Sequence, residues 1–253
     1  MGFTAVALET GFTESGSVER FVAGGPGELR SIARDGMTHG FGQLSENEEL
    51  IQWIRDYNSK TAHLRKVWFY GIDMSGVGRG TFEDSRRAVE PVLAYLARVD
   101  SVAASRIRDA LEPILERFSQ ANYPGLSSTE RERLALALAE AASALKRKRS
   151  SLVRMGSDEE YQWALHNVVV AQQLNLYFEA SLEPLARGPG PGIPPGYYRL
   201  MNARDVAMAE NVRWALEREG PNGRLVVFAH NGHVMNSVLQ GGIWSTLQQP
   251  PSA

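Results

Sequence analysis

Arg224-Leu-Val-Val-Phe-Ala-His-Asn-Gly-His-Val234 sets an unbroken apolar run against two histidines spaced three apart. A run with no polar alternation predicts a strand over Arg224–Ala229 buried on both faces, the pattern of a parallel sheet. Two earlier segments have the same character: Thr4–Leu8, and Lys66–Ile72 with Val67, Trp68, Phe69 and Tyr70. Each run terminates in a polar group, at Glu9, Asp73 and His230. In open α/β sheets ligands bind outside the carboxyl ends of the strands, so parallel strands would bring these three ends to one crevice.

The intervening sequence supplies the helices. Thr13-Glu14-Ser15-Gly16 opens a helix through Val18, Phe21 and Val22, stopped by Gly24 and Gly25. Gly25 to Gln43 carries several glycines and predicts mainly irregular loop. Ser45, followed by Glu46, Glu48 and Glu49, predicts a capped helix reaching Tyr57. A further helix carries Val89, Val92 and Leu96, with a kink or restart at Pro91. From about Ser101 to Leu182 apolar residues recur at helical spacing, as in Ile107, Leu111, Ile114 and Phe118, and no strand pattern appears. The basic run Lys146–Arg149 fits a helix end, complementing its dipole. Alternating Gly and Pro over Arg187–Tyr198 predict a loop or hinge, and a helix from about Asn202 to Glu219 leads into the third strand. The resulting expectation is an α/β fold: a mainly parallel sheet flanked by helices, with a large helical insertion forming a cleft. Its portions are 1–100, the insertion 101–186, and 187–253, which completes the first domain.

Composition narrows the chemistry. With 253 residues, 43% hydrophobic and 22% charged, the chain has the makeup of a globular protein. A net charge of -2 offers no global field for nucleic acid or an anionic membrane. No apolar run is long enough to span a bilayer and no secretory signal pattern opens the chain, so a cytoplasmic location is expected. Cysteine is absent, which removes disulfides, thiol nucleophiles and thiolate metal sites. There is no Gly-x-Ser-x-Gly elbow, phosphate-cradling loop or dinucleotide fingerprint. Catalysis by Glu and His acting on water, or metal-assisted hydrolysis, remains.

His230 and His233 can point both imidazoles into one site, one acting in proton transfer while the other binds a substrate oxygen. The same pair could hold a metal with Glu9 or Asp73, or satisfy backbone groups in a turn that Asn231 favours. Arg204 could clamp a carboxylate or stabilise an oxyanion, with Asp205 as its buttress or that of a histidine. His39, in a glycine-bearing loop, could border the same crevice. A helix-capping Asp205, a surface Arg204 and a plain loop histidine at 39 are the structural alternatives.

Five segments resemble the erythromycin esterase family in order and spacing: Gly2–Glu9, Glu49–Asn58, Phe69–Asp73, Arg204–Asn211 and Ala229–Val234. The resemblance covers both α/β portions, while the helical middle matches in length and character. It implies hydrolysis of a carboxylic ester or macrolide lactone by His/Glu-activated water, without metal or other cofactor, on a small-molecule substrate. Carried over by position, Glu9, His230 and His233 match the family's site residues, and Arg204 fits the arginine of its Arg-Asp helix. The family's Gly-Glu-x-x-His-Gly segment, whose histidine is its proposed general base, does not occur in these 253 residues; the resemblance places it before residue 1, and both ends read as cut from something longer. A non-catalytic small-molecule-binding homologue and a metal-dependent hydrolase using the same cleft are the alternatives.

Overall fold

The computed structural model describes residues 2–78, 81–182 and 195–234, without the side chains of 195 and 197. Its sheet has three parallel strands in the order β2-β1-β3, with β1 Ala5–Gly11, β2 Trp68–Asp73 and β3 Leu225–Phe228. Ala5 lies beside Trp68 on one side and Leu225 on the other, so the strand ends are level. The register shifts between Leu8 and Gly11, where β1 leaves the ladder.

The strands' period of two sorts the two faces. Leu8 and Phe69 pack with Val18, Phe21 and Val22 of α1 (Phe12–Val22), Ala33 of α2 (Leu29–Gly36), and Ile51 and Ile54 of α3 (Ser45–Ser59). Ala5, Ala7, Tyr70 and Ile72 turn the other way, against Met208 and Ala215 of α8 (Pro195–Glu219). Between β2 and α8, helices α4 (Arg86–Ala97), α5 (Ser101–Leu115), α6 (Ser128–Met155) and α7 (Asp158–Ala180) share one apolar cluster, which Leu200 and Ala207 of α8 join. Helix α8 is thus wedged between sheet and helical insertion.

Several expectations need correction. Gly25–Gln43 is not mainly loop, because α2 forms where the Glu28 carboxylate caps the helix by accepting from the Arg30 and Ser31 amides. Ser45 does not cap α3: Leu44 holds that position and the Ser45 hydroxyl turns to Glu46. Helix α4 runs through Pro91 without restarting, and Lys146–Arg149 lies inside α6 rather than at its end. The chain enters α8 at Pro195, so Arg204 and Asp205 are interior to that helix; residues 187–194 and the chain's last residues, Trp244 included, lie outside the described ones. Strand β3 is not buried on both faces. It pairs with β1 alone among the described strands, leaving Val227 41% and Phe228 59% exposed.

Candidate active site

The site begins with β1. Glu9 shares the α8-facing side with Ala5 and Ala7, so its carboxylate meets α8 one turn before Met208, at Arg204. The Arg204 guanidinium donates from Nη2 to Glu9 Oε1 at 2.8 Å, and from Nη2 and Nε to the two Asp73 oxygens at 2.7 and 3.2 Å. Asp73 is fully buried and also accepts from the Met74 amide at 2.8 Å. One arginine therefore bridges two adjacent strand ends with a two-pronged grip that lysine could not reproduce.

His39 is brought over the same point by the loop before α3. Gly11 N donates to Thr38 Oγ1 at 2.9 Å and Thr38 N to Thr10 Oγ1 at 2.5 Å, which pins the loop to the end of β1. The next residue takes a left-handed backbone, φ 57°, and His39 is the only described non-glycine with positive φ. Strain of this kind costs on the order of 1–3 kcal/mol and persists where surrounding contacts impose it. It aims Nε2 at Asp73 Oδ2, 2.9 Å away. With Nε2 committed to the carboxylate, Nδ1 is the ring atom left for another partner, the arrangement by which a buried carboxylate orients a histidine base.

After β3 the chain turns into the single helical turn α9, Asn231–Val234. The His230 amide donates to Glu9 Oε2 at 2.6 Å, and the His230 ring accepts the Gly232 N–H at Nδ1, 3.1 Å. A ring that accepts at Nδ1 carries its proton on Nε2, making it a donor. His233 is held at both nitrogens, Nδ1 2.6 Å from Asp205 Oδ1 and Nε2 3.4 Å from Glu9 Oε1. Those two carboxylates outweigh desolvation and raise its pKa to about 9, so it is an imidazolium at neutral pH. Burial pushes the Glu9 pKa up, but hydrogen bonds from His233 and the His230 amide, with the charges of His233 and Arg204, bring it down to about 2. Burial likewise opposes ionisation of Asp73, and the His39 hydrogen bond and Arg204 overcome it, leaving its pKa lowered.

Together these groups border a cleft of about 620 Å³ lined by Glu9, His39, Phe41, Arg204, Phe228, Ala229, His230, Asn231 and His233. Every candidate picked from the sequence falls at this point: Asp73 behind Arg204, Asp205 behind His233, and Asn231 on the rim. The aromatic walls Phe41 and Phe228 had no distinguishing signal in the sequence. Nor did Thr10 and Thr38, which place His39.

A metal fits poorly. Glu9, His39 and Asp73 offer ligand atoms within 4.8 Å of one another, but Arg204 Nη2 already lies within 2.8 Å of both carboxylates, where a second cation would be repelled. The set Glu9, His230 and His233 does not present free ring nitrogens together, since His233 spends both on carboxylates and His230 Nδ1 on a backbone amide.

A parallel sheet with a carboxylate–arginine–histidine lattice at its strand ends defines an α/β protein, and the cleft beside that lattice is lined by the strand ends, the His39 loop, α8 and α9 rather than, as expected, by the helical insertion. The chain belongs to the erythromycin esterase family, whose model, described as Erythromycin esterase, matches residues 1–247. It is 27% identical over 254 aligned positions to erythromycin esterase type II of Escherichia coli, across 98% of this chain and 57% of that protein. The fold is shared with a Bacillus cereus protein of solved structure (TM-score 0.68, 23% identity, 93% of this chain and 51% of that one) and a succinoglycan biosynthesis protein (0.67, 20%, 98% and 53%). It is also shared with a mutant of the erythromycin esterase EreC in its open conformation (0.57, 15%, 90% and 53%). The chain spans about half the length of the relatives it matches.

Proposed function

We propose that this protein is a hydrolase of carboxylic esters, macrolide lactones among them, that adds water to the carbonyl without a metal. The observation that carries the reading is the buried Asp73 carboxylate on His39 Nε2, 2.9 Å, in the same cleft as the donor His230. In this reading His39 Nδ1 takes a proton from water as the oxygen attacks, and Asp73 stabilises the imidazolium that forms. His230 Nε2–H donates to the carbonyl oxygen as it gains negative charge. The tetrahedral intermediate then collapses, with the proton on His39 passing to the leaving alkoxide. Glu9 is unsuited as base, because its two oxygens receive Arg204, His233 and the His230 amide and it stays ionised down to about pH 2. Glu9, His233 and Asp205 instead hold His230 in place and fix the local field. Membership of the family and similarity to a curated erythromycin esterase support ester hydrolysis.

The family resemblance assigns the base to a histidine of the Gly-Glu-x-x-His-Gly segment, and the two assignments separate experimentally. The protein is incubated with a macrolide lactone and with p-nitrophenyl esters, following gain of one water by mass and nitrophenolate release. His39→Gln should lower kcat by about two to four orders of magnitude if His39 is the base. A small effect on kcat would move the base elsewhere. Saturable binding of these compounds with no turnover would make the protein a binding homologue and sink the hydrolase reading.

A further inference from the structure

Among the residues lining the cleft, Phe41 and Phe228 take no part in the proton transfers described above. The chain brings them there from opposite directions. Phe41 follows His39 by two residues, and its ring centroid lies 6.2 Å from that imidazole. Phe228 precedes His230 by two and closes β3. It is in register with Leu8, so the pleat turns it to the side of Leu8, toward α1, α2 and α3. There its ring meets that of Phe41 edge to face, with centroids 6.2 Å apart.

That contact leaves Phe228 more than half exposed. Val226, in register with Val6 and so on the same side of β3, is 42% exposed. The two rings thus give a polar cleft one apolar shelf, set between His39 and His230 and left open by the described residues around it.

Which arm of a substrate lies on this shelf follows from the hydrolysis proposed above, and rests on it. The carbonyl oxygen goes to His230 Nε2–H, while the attacking and leaving oxygens both exchange a proton with His39 Nδ1. The carbon arm of the acyl group remains. The polar walls Glu9, Arg204 and His233 are hydrogen-bonded to one another, and a hydrocarbon arm laid on them would strip their water without replacing its hydrogen bonds. Phe41, Phe228 and Ala229 are the apolar walls of the cleft.

We propose that Phe41 and Phe228 form an acyl subsite that selects esters and lactones whose carbonyl carbon carries an extended apolar arm. Each methylene laid on the rings leaves water, so kcat/KM should rise roughly two- to fourfold per methylene until the shelf is covered. The rings act by binding the arm, not by touching the reacting atoms, so the gain should fall mainly on KM.

The test is a chain-length series with one leaving group: p-nitrophenyl acetate, butyrate and hexanoate, followed by nitrophenolate release. From acetate to hexanoate kcat/KM should climb by roughly tenfold or more. Phe228→Ala and Phe41→Ala should each cut the hexanoate-to-acetate ratio by about fivefold. Trp53→Ala, which removes a similarly exposed aromatic ring from α3, should leave the ratio as it was. A second readout needs no turnover: in isothermal titration hexanamide should bind more tightly than acetamide and lose that advantage in Phe228→Ala. If no ester or lactone is hydrolysed, the hydrolase reading fails and the amide pair still decides the subsite. A flat chain-length series in the unmodified chain, or a ratio unmoved by both ring deletions, would overturn the proposal. So would a dimer in sedimentation that Phe228→Ala dissociates, since the ring would then belong to an interface between copies. Should the ring deletions fail to fold, the ester series and the amide pair on the unmodified chain decide.

Discussion

Replacing Arg204 by methionine removes the one guanidinium shared by Glu9 and Asp73 while keeping the side chain's bulk. The arginine is 16% exposed, and its partners are 9% and 0% exposed at the side chain, so the charges left behind have little water to turn to. Breaking a buried pair by deleting one partner costs about 3–5 kcal/mol. The remaining donors, His39 and the Met74 amide for Asp73, His233 and the His230 amide for Glu9, place the expectation toward the lower end of that range. At about 2–4 °C per kcal/mol for a chain of this size, Tm should fall by roughly 6–20 °C. Urea denaturation at pH 7 measures the free energy directly, and repetition at pH 4 adds a diagnostic. With the cation gone, the two carboxyls titrate at higher pH, so protonation relieves their repulsion and the deficit narrows in acid. Adding Asp73→Asn to Arg204→Met should recover part of the loss, a coupling of about 0.5–3 kcal/mol. Stability within about 1 kcal/mol of wild type at pH 7, or a deficit equal at both pH values, would refute the claim that Arg204 is the guanidinium that offsets both buried charges.

Three further outcomes follow from the same geometry. His233 has a pKa raised from 6.5 to about 9, so its contribution is complete below pH 6.5 and lost as pH rises through 9; the stability gap between wild type and His233→Gln should close over that window, and a constant gap from pH 6 to 10 would contradict the ion pairs. His166, buried with Nε2 2.7 Å from Asn211 Oδ1 and stacked on Trp214, has its pKa lowered to about 4 chiefly by desolvation; its ring should stay neutral in an NMR titration until near pH 4, and titration near 6.5 would place it in water. A Cβ at Gly71 would come within 2.5 Å of Gly11 O and 2.7 Å of Thr10 O, backbone atoms that cannot swing aside, so Gly71→Ala should cost about 1–3 kcal/mol in denaturant unfolding, and an unchanged midpoint would falsify the close crossing of β1 and β2.

How far the sequence discloses this arrangement depends on range. The apolar runs at Ala5–Leu8 and Trp68–Ile72 announce strands because burial on both faces leaves no room for polar alternation. Their polar ends at Glu9 and Asp73 could be picked out for the same reason. The convergence of Glu9, Asp73 and His230 was legible through one rule, that ligands gather at the carboxyl ends of parallel strands, whereas Arg204 was picked out by its place in the helix before β3 and by the family resemblance, and His233 by its spacing from His230. His39 was harder: its place depends on two threonines 28 residues apart and on a left-handed backbone, neither of which local spacing encodes. The exposure of β3 is likewise invisible in Leu225–Phe228, whose composition is that of a central strand. Whether a neighbour covers it is decided elsewhere in the chain. Helix α2 was missed because its cap is a glutamate, not one of the short side chains that usually mark a helix start.

The pairing of β1 with β3 has a bearing on the order in which this site comes together. Thr4 and Arg224 are hydrogen-bonded across 220 residues, and closing a loop that long carries an entropic cost on the order of 5 kcal/mol. Strand β3 is short, pairs with β1 alone among the described strands, and is the most exposed of the three. It should therefore be the first strand to release in hydrogen exchange, ahead of β1 and β2. Its departure would carry off His230 and His233 while Arg204, Asp73 and His39 remain clasped. A compound that spans the cleft from His39 to His230 would act as a splint, slowing that local opening more than it slows exchange in the helical insertion.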